Sequence, residues 1–230
     1  MQKLILGYWK GRGVCHPIRQ LLHIVGLPFE EVLYNNPTEW LADRPKVFPG
    51  GENAPFGNIP YIVDGDFTIN ESGALPHYIC HKAGAPVLLG KNYKDQARLI
   101  QIQGVVGDLY AAFGPVILNE NRTELVKDVV KNGSKTHALV VKLSEFLGKK
   151  KFILGYFTYA DLLVSHFVLF LRNVYLSLGA HDLFASIGGG NLLALAKRVN
   201  ALEELAHFNH NYPYMLAIFA PWFKEFPNPK

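Results

Sequence analysis

A small α/β domain followed by an all-α one is the architecture this sequence predicts, and three observations predict it. The first is a strand–helix–strand run over residues 3–34. The second is a hairpin signal, Tyr61-Ile62-Val63 and Phe67-Thr68-Ile69 around Asp64-Gly65, which leads into a helix. The third is that the pattern is helical almost throughout from Asn92 onward. The class is therefore α/β plus all-α: residues 1–84 form a mixed-sheet domain, 85–91 a linker and 92–230 a helical bundle.

Taken in order, Lys3–Tyr8 reads as a buried strand and Gly11-Arg12-Gly13 as a loop. His16-Pro17 starts a helix with proline in its first turn, and Ile18, Leu21, Leu22 and Val25 make its apolar stripe. Gly26-Leu27-Pro28 ends it, and Phe29–Tyr34 is a second strand, which implies a parallel, right-handed βαβ unit. Residues 35–57, rich in Pro and Gly and carrying Trp40, read as irregular. Pro60 precedes the hairpin's first strand, where its missing N–H breaks no ladder. After the second strand, Glu71-Ser72-Gly73 lead into a helix with a stripe at Ala74, Leu75, Tyr78 and Ile79. The order βαβ–ββα is the thioredoxin-like arrangement.

Beyond the linker, helices are expected from Asn92 to about Phe113, from Thr123 to Leu147, from Thr158 onward and over Asn191–Ala206. Thr158 and Asp161 read as a capping pair worth about 1 kcal/mol. The apolar run Leu162–Leu178 contains His166, Arg172 and Asn173 and is short for a membrane span, so it reads as a buried helix. The aromatic tail, Tyr214, Trp222 and Phe223, is expected to pack back onto the body.

Composition excludes several classes of function. Hydrophobic residues make up 49% and charged ones 18%, which suits a large core and argues against disorder. A net charge of +4 is too mild to argue for nucleic acid, and no long apolar span argues for a membrane. Two cysteines make no disulfide framework, and the N-terminus lacks an apolar signal core, so a cytoplasmic location is expected.

The chemistry concentrates around the hairpin. A cis bond at Ile59-Pro60 would turn the chain sharply and expose the Ile59 backbone to a ligand. Ser72, with the first amides of the following helix, suits one carboxylate, and Glu71 suits an ammonium. Together they fit an amino-acid head group. A ligand anchored there would extend toward the end of the first strand, where Tyr8 offers a phenol that can donate to a thiolate. Lowering a thiol pKa by about two units takes roughly 2.7 kcal/mol.

With Ile5-Leu6-Gly7-Tyr8-Trp9, Arg12-Gly13, His16-Pro17-Ile18-Arg19, Asn58-Ile59-Pro60-Tyr61, Glu71-Ser72 and Gly155-Tyr156-Phe157-Thr158-Tyr159-Ala160-Asp161, the chain resembles a cytosolic glutathione transferase, most closely the mu class. The resemblance implies a homodimer that activates glutathione, a co-substrate rather than a cofactor, for attack on hydrophobic electrophiles. Tyr8 would stabilise the thiolate, with Trp9 beside it. Trp40 and Arg44 would take the glycyl end, Asn58, Ile59 and Pro60 the cysteinyl part, and Glu71 and Ser72 the γ-glutamyl head. Asp108 would reach the partner subunit's glutathione, and Phe56 would be the aromatic key of the dimer. Val14, Tyr110, Ala111 and Phe113 would line the electrophile pocket.

The sequence departs from the mu pattern in the length of the segments around Trp40, in Glu71 where that class has glutamine, and in Leu118 where it has tyrosine. Rival readings are a non-catalytic ligandin or crystallin-like binder, a sigma-type prostaglandin isomerase, and a thiol transferase. In the last, Cys15 at a helix N-terminus would be the nucleophile. His77, Cys80 and His81 have helical spacing on one face but no companion ligands, so no metal site is expected.

Overall fold

The computed structural model describes residues 3–49, 56–117, 119, 121–177 and 189–211. These gather into two compact units, residues 3–87 with 202–211, and residues 88–201.

The first unit is built on a four-stranded sheet in the order β2-β1-β3-β4. Strands β1 (Leu4–Trp9) and β2 (Phe29–Tyr34) run parallel, and the antiparallel β3 (Tyr61–Asp64) and β4 (Phe67–Asn70) complete it. Helix α1 (His16–Ile24) makes the crossover and buries Ile18, Leu21 and Leu22 completely. Each such side chain contributes about 1.5–3 kcal/mol of transfer free energy. The hairpin turn sits one residue later than the sequence signal suggests. Asp64 is still in the ladder opposite Phe67, and Gly65 (φ 64°) and Asp66 make the turn. Asp64 is held there by the Tyr78 hydroxyl and Lys82 of α3 (Leu75–Lys82).

The segment expected to be irregular contains a helix, α2 (Pro37–Val47). Asn36 caps it by accepting from the Glu39 N–H at 3.0 Å, while Glu39 accepts from the Asn35 N–H at 2.7 Å. Asn36-Pro37-Thr38-Glu39 is thus a capping signature with proline at the first position, and Pro45 within the helix masked it. Trp40 and Phe48 bring this segment against the sheet, where they cluster with Tyr34 and Tyr61.

In the second unit α4 (Tyr93–Ile117) continues through Gly114-Pro115. The expected helix 123–147 is two, α5 (Arg122–Val130) and α6 (Lys135–Leu147), separated by a turn in which Gly133 is left-handed and Ser134 caps α6. The apolar run is α7 (Tyr159–Ser177), buried through Leu162, Phe167, Val168 and Leu171. Its Phe167 and Phe170 pack with Phe113 of α4. The last expected helix is also two, α8 (Gly190–Asn200) on α7, and α9 (Glu203–Asn211), which packs on α1 of the first unit's sheet layer. The break falls at Ala201-Leu202, where a sequence pattern without Pro or Gly carries no stop signal. The aromatic tail lies outside the described residues.

Candidate active site at the end of the sheet

Strand register assembles the candidate site. Gly7 pairs with Tyr61, and Tyr61 pairs with Asn70. Tyr8, Ile59-Pro60 and Glu71-Ser72 each adjoin one of these three residues, so all lie at the same end of three neighbouring strands. At roughly 4.8 Å between strands, the site spans about 10 Å from Tyr8 to Glu71.

Tyr8 is 8% exposed at the end of β1. Burial raises its pKa well above the ordinary phenol value, and Cys15 adds to this, while the Val14 backbone and the Arg19 cation oppose it. The group therefore keeps its proton at physiological pH and acts as a donor. Gly13 makes room for it: a Cβ there would lie 2.5 Å from the Tyr8 hydroxyl oxygen, and its φ of 42° already disfavours a side chain. Trp9 is half-buried, edge-on to Tyr34, and Val14 is half-buried beside the Gly13–Cys15 turn.

The Ile59–Pro60 bond is cis. The expectation that the Ile59 N–H faces a ligand needs correction, because Asn58 Oδ1 accepts it at 2.9 Å. Ser72 is not the helix cap expected. It lies in a turn before α3, whose N-cap is Ala74 without a side-chain bond. The Glu71 carbonyl opens the helix instead, accepting from the Ala74 and Leu75 N–H groups at 2.9 and 3.1 Å. Glu71 holds a left-handed φ of 73°, a conformation that costs a residue with a Cβ and that gathers at functional sites. Its carboxylate is exposed, near Asn70 Nδ2.

Trp40 is 6% exposed, stacked on Tyr61 at 5.9 Å, so its indole is chiefly part of the aromatic cluster. Tyr61 is tied to the Tyr34 hydroxyl at 2.8 Å, which donates to Asp43 at 2.7 Å. One turn beyond Trp40, the exposed Arg44 lies alongside Gly57, where its Nε is 3.2 Å from an ideal Cβ position. Phe56 is 72% exposed.

In the helical unit Asp108 is exposed and pairs with Lys135 at 3.2 Å. Tyr110 is half-buried against His166, Phe167 and Phe170, and Ala111 is exposed. Phe113, expected on a pocket wall, is 1% exposed and belongs to the core between α4 and α7.

Two findings were not anticipated. Arg19 is wholly buried on α1, ion-paired with Glu31, and donates to the carbonyls of Gly11 at 2.7 Å and Trp9 at 3.3 Å. It thereby fixes the loop after Tyr8 and places its cation 5.7 Å from the Tyr8 ring. A lone arginine between Ile18 and Leu21 of the apolar stripe was the available signal. The second concerns Cys15, which is buried in the turn before α1. Burial pushes its thiol up to about 12, opposite to the lowering that a helix N-terminus was expected to cause. Cys80 is likewise buried, and among the described residues no three His, Cys, Asp or Glu side chains are grouped to hold a metal.

Residues 5–81 match the family model for the glutathione S-transferase N-terminal domain. A class-mu 26 kDa glutathione S-transferase isozyme of Fasciola hepatica is 35% identical over 152 residues, so the match spans 65% of each chain. Glutathione S-transferase Mu 1 of Bos taurus is 30% identical over 169 residues, 70% of this chain and 72% of the relative. This chain belongs to the glutathione S-transferase family. The solved structure of a Nu-class transferase from Haemonchus contortus has the same fold, with a TM-score of 0.74 at 21% identity over 95% of this chain and 100% of that one. Gly13→Ala is expected to displace the Tyr8 hydroxyl, with about 1–2 kcal/mol lost in denaturant unfolding.

Proposed function

We propose that this transferase binds glutathione along the sheet end and conjugates its sulfur to hydrophobic electrophiles. The observation that carries the reading is the register that lines up Tyr8, Ile59-Pro60 and Glu71-Ser72 on adjacent strands. Their span of about 10 Å is the length of an extended tripeptide. The γ-glutamyl carboxylate would meet the Ser72 hydroxyl and turn amides, its ammonium the Glu71 carboxylate, and the glycyl carboxylate Arg44. The cysteinyl sulfur would then lie under Tyr8. A phenol that keeps its own proton is suited to this role: it donates to the sulfur and stabilises the thiolate relative to the thiol. The thiolate attacks the electrophilic carbon, and the leaving group departs with the bonding electrons.

Residues 1–84 would be the glutathione-binding domain and 92–230 the domain carrying the electrophile pocket, with Tyr110 and Ala111 among its lining. We further propose a cytoplasmic, detoxifying homodimer. The support is that Phe56 is exposed, as a residue entering a neighbour would have to be, and that Asp108, the residue we assign to the neighbour's glutathione, is exposed as well. Among the described residues no helix is long and apolar enough to cross a membrane.

Turnover of 1-chloro-2,4-dinitrobenzene with glutathione tests the assignment. Tyr8→Phe is expected to lose at least about tenfold in kcat/KM, with the pKa of bound glutathione rising toward the free value of about 8.5. Cys15→Ser should stay near wild type. The reverse pattern would transfer the chemistry to Cys15.

A further inference from the structure

The helical unit carries a charge that transferase chemistry does not use. Between residues 88 and 201 there are 14 Lys and Arg against 8 Asp and Glu, while the rest of the chain has 9 against 11. Part of this excess is gathered where the start of α4, the α6–α7 connection and the end of α8 meet. Arg98 lies 5.5 Å and Lys150 4.1 Å from the Phe146 ring, and Lys151 and Arg198 lie 5.6 and 5.9 Å from the Phe152 ring. Lys91 stands 4.1 Å over Tyr156, and Lys149 is exposed beside Lys150. None of these six cations has an ion-pair partner among the described residues.

The neighbouring acids do not balance them. Asp95 is engaged by the Tyr156 hydroxyl at 2.7 Å and by Asn92, and Asp161 is buried. Glu145 remains exposed on the last turns of α6. Lys150 is disfavoured as a cation by burial and by the nearby Arg98. The fold keeps them together with side chains laid over aromatic rings.

We propose that this face docks the protein reversibly on an anionic phospholipid surface. A lysine-rich cluster at an exposed turn suits a diffuse sheet of phosphates and carboxylates, to which each Lys or Arg adds attraction without a fixed partner geometry. Protein partners instead favour Arg and open aromatics and select against Lys. Single-stranded nucleic acid calls for ring faces on which bases stack, and here the rings of Phe146, Phe152 and Tyr156 are each covered by a cation. All six cations belong to the helical unit and none is among the residues proposed to bind glutathione, so docking and conjugation are separable by substitution.

Cosedimentation of the full chain with phosphatidylcholine vesicles, with and without phosphatidylserine, tests the inference at low and physiological ionic strength. Binding is expected only to the phosphatidylserine vesicles, weakening with salt. The double variant Lys149→Gln/Lys151→Gln should lower the partition coefficient about tenfold or more while leaving conjugation activity intact. Lys150 is spared because its ammonium also donates to the Ile153 carbonyl. Lys127→Gln/Lys131→Gln removes the same charge from cations paired with Glu124 and Asp128, and should change binding less than threefold or so. The proposal is overturned by equal binding to neutral vesicles or by no binding to either. It is also overturned if the control pair matters as much as the patch, or if single-stranded RNA binds more tightly than the vesicles at the same salt.

Discussion

Asp161→Ala is expected to destabilise the protein by about 3 kcal/mol at neutral pH, several times what an exposed helix cap contributes. The carboxylate is 0% exposed and serves three donors: the Ile153 N–H at 2.7 Å, the Thr158 N–H at 2.8 Å and the Thr158 hydroxyl at 3.1 Å. Alanine leaves two buried amides without an acceptor and unties the turn at Ile153 from the start of α7. Burial pushes the Asp161 carboxyl up to about 6 despite those donors, from an ordinary 3.8. Because the folded-state pKa is the higher one, the folded state holds the proton more tightly. The stability this contributes is full below about pH 4 and is lost as pH rises through about 6. The gap between wild type and Asp161→Ala should therefore widen by about 2 kcal/mol between pH 7 and pH 4. Denaturant unfolding of both proteins across that range checks the sign, and a gap that narrows on acidification would contradict it.

Arg19→Met should cost about 3–5 kcal/mol and lower conjugation activity, although the residue touches no proposed substrate group. Removing the guanidinium takes its paired cation from Glu31, whose side chain is only 10% exposed, and takes the donor from the Gly11 and Trp9 carbonyls that shape the loop beside Tyr8. Most of the penalty comes from the largely buried carboxylate that loses this cation. Arg19→Met/Glu31→Leu is accordingly expected to regain more than half of the lost stability. Its activity should recover less, since the loop still lacks its anchor. Unfolding midpoints and kcat/KM for the two single variants and the double variant separate these contributions. Full additivity would show that the two side chains do not depend on each other.

The parts of the site that were legible in the chain are those carried by local chemistry. Tyr61-Ile62-Val63, Gly65 and Phe67-Thr68-Ile69 specify a hairpin by side-chain alternation and turn geometry, and Ile18, Leu21 and Leu22 specify the crossover helix by its period. Tyr8, Pro60 and Ser72 then follow as the residues at the element ends. The errors came where a local signal was outvoted or disguised. Pro45 concealed α2 even though Asn36-Pro37-Thr38-Glu39 announced its start. Gly114-Pro115 looked like a stop, yet α4 runs on through it to Ile117. Asn132-Gly133-Ser134 was a turn signal inside what looked like one helix, and the Ser134 cap made it a boundary.

What the sequence determined by itself is the βαβ–ββα order of the mixed sheet and its two flanking helices, the helical character of the chain beyond it, and the family. These follow from hydrophobic periodicity and from residue types fixed along the chain. Only the tertiary structure decided what those residues experience. It buried Cys15 and raised its thiol pKa, and it made Phe113 core. It set Arg19 against Glu31 beneath the Tyr8 loop and returned α9 to α1. Burial and the partners met across long sequence separations set pKa values, hydrogen bonding and exposure. Neither can be read from a residue's neighbours in the chain.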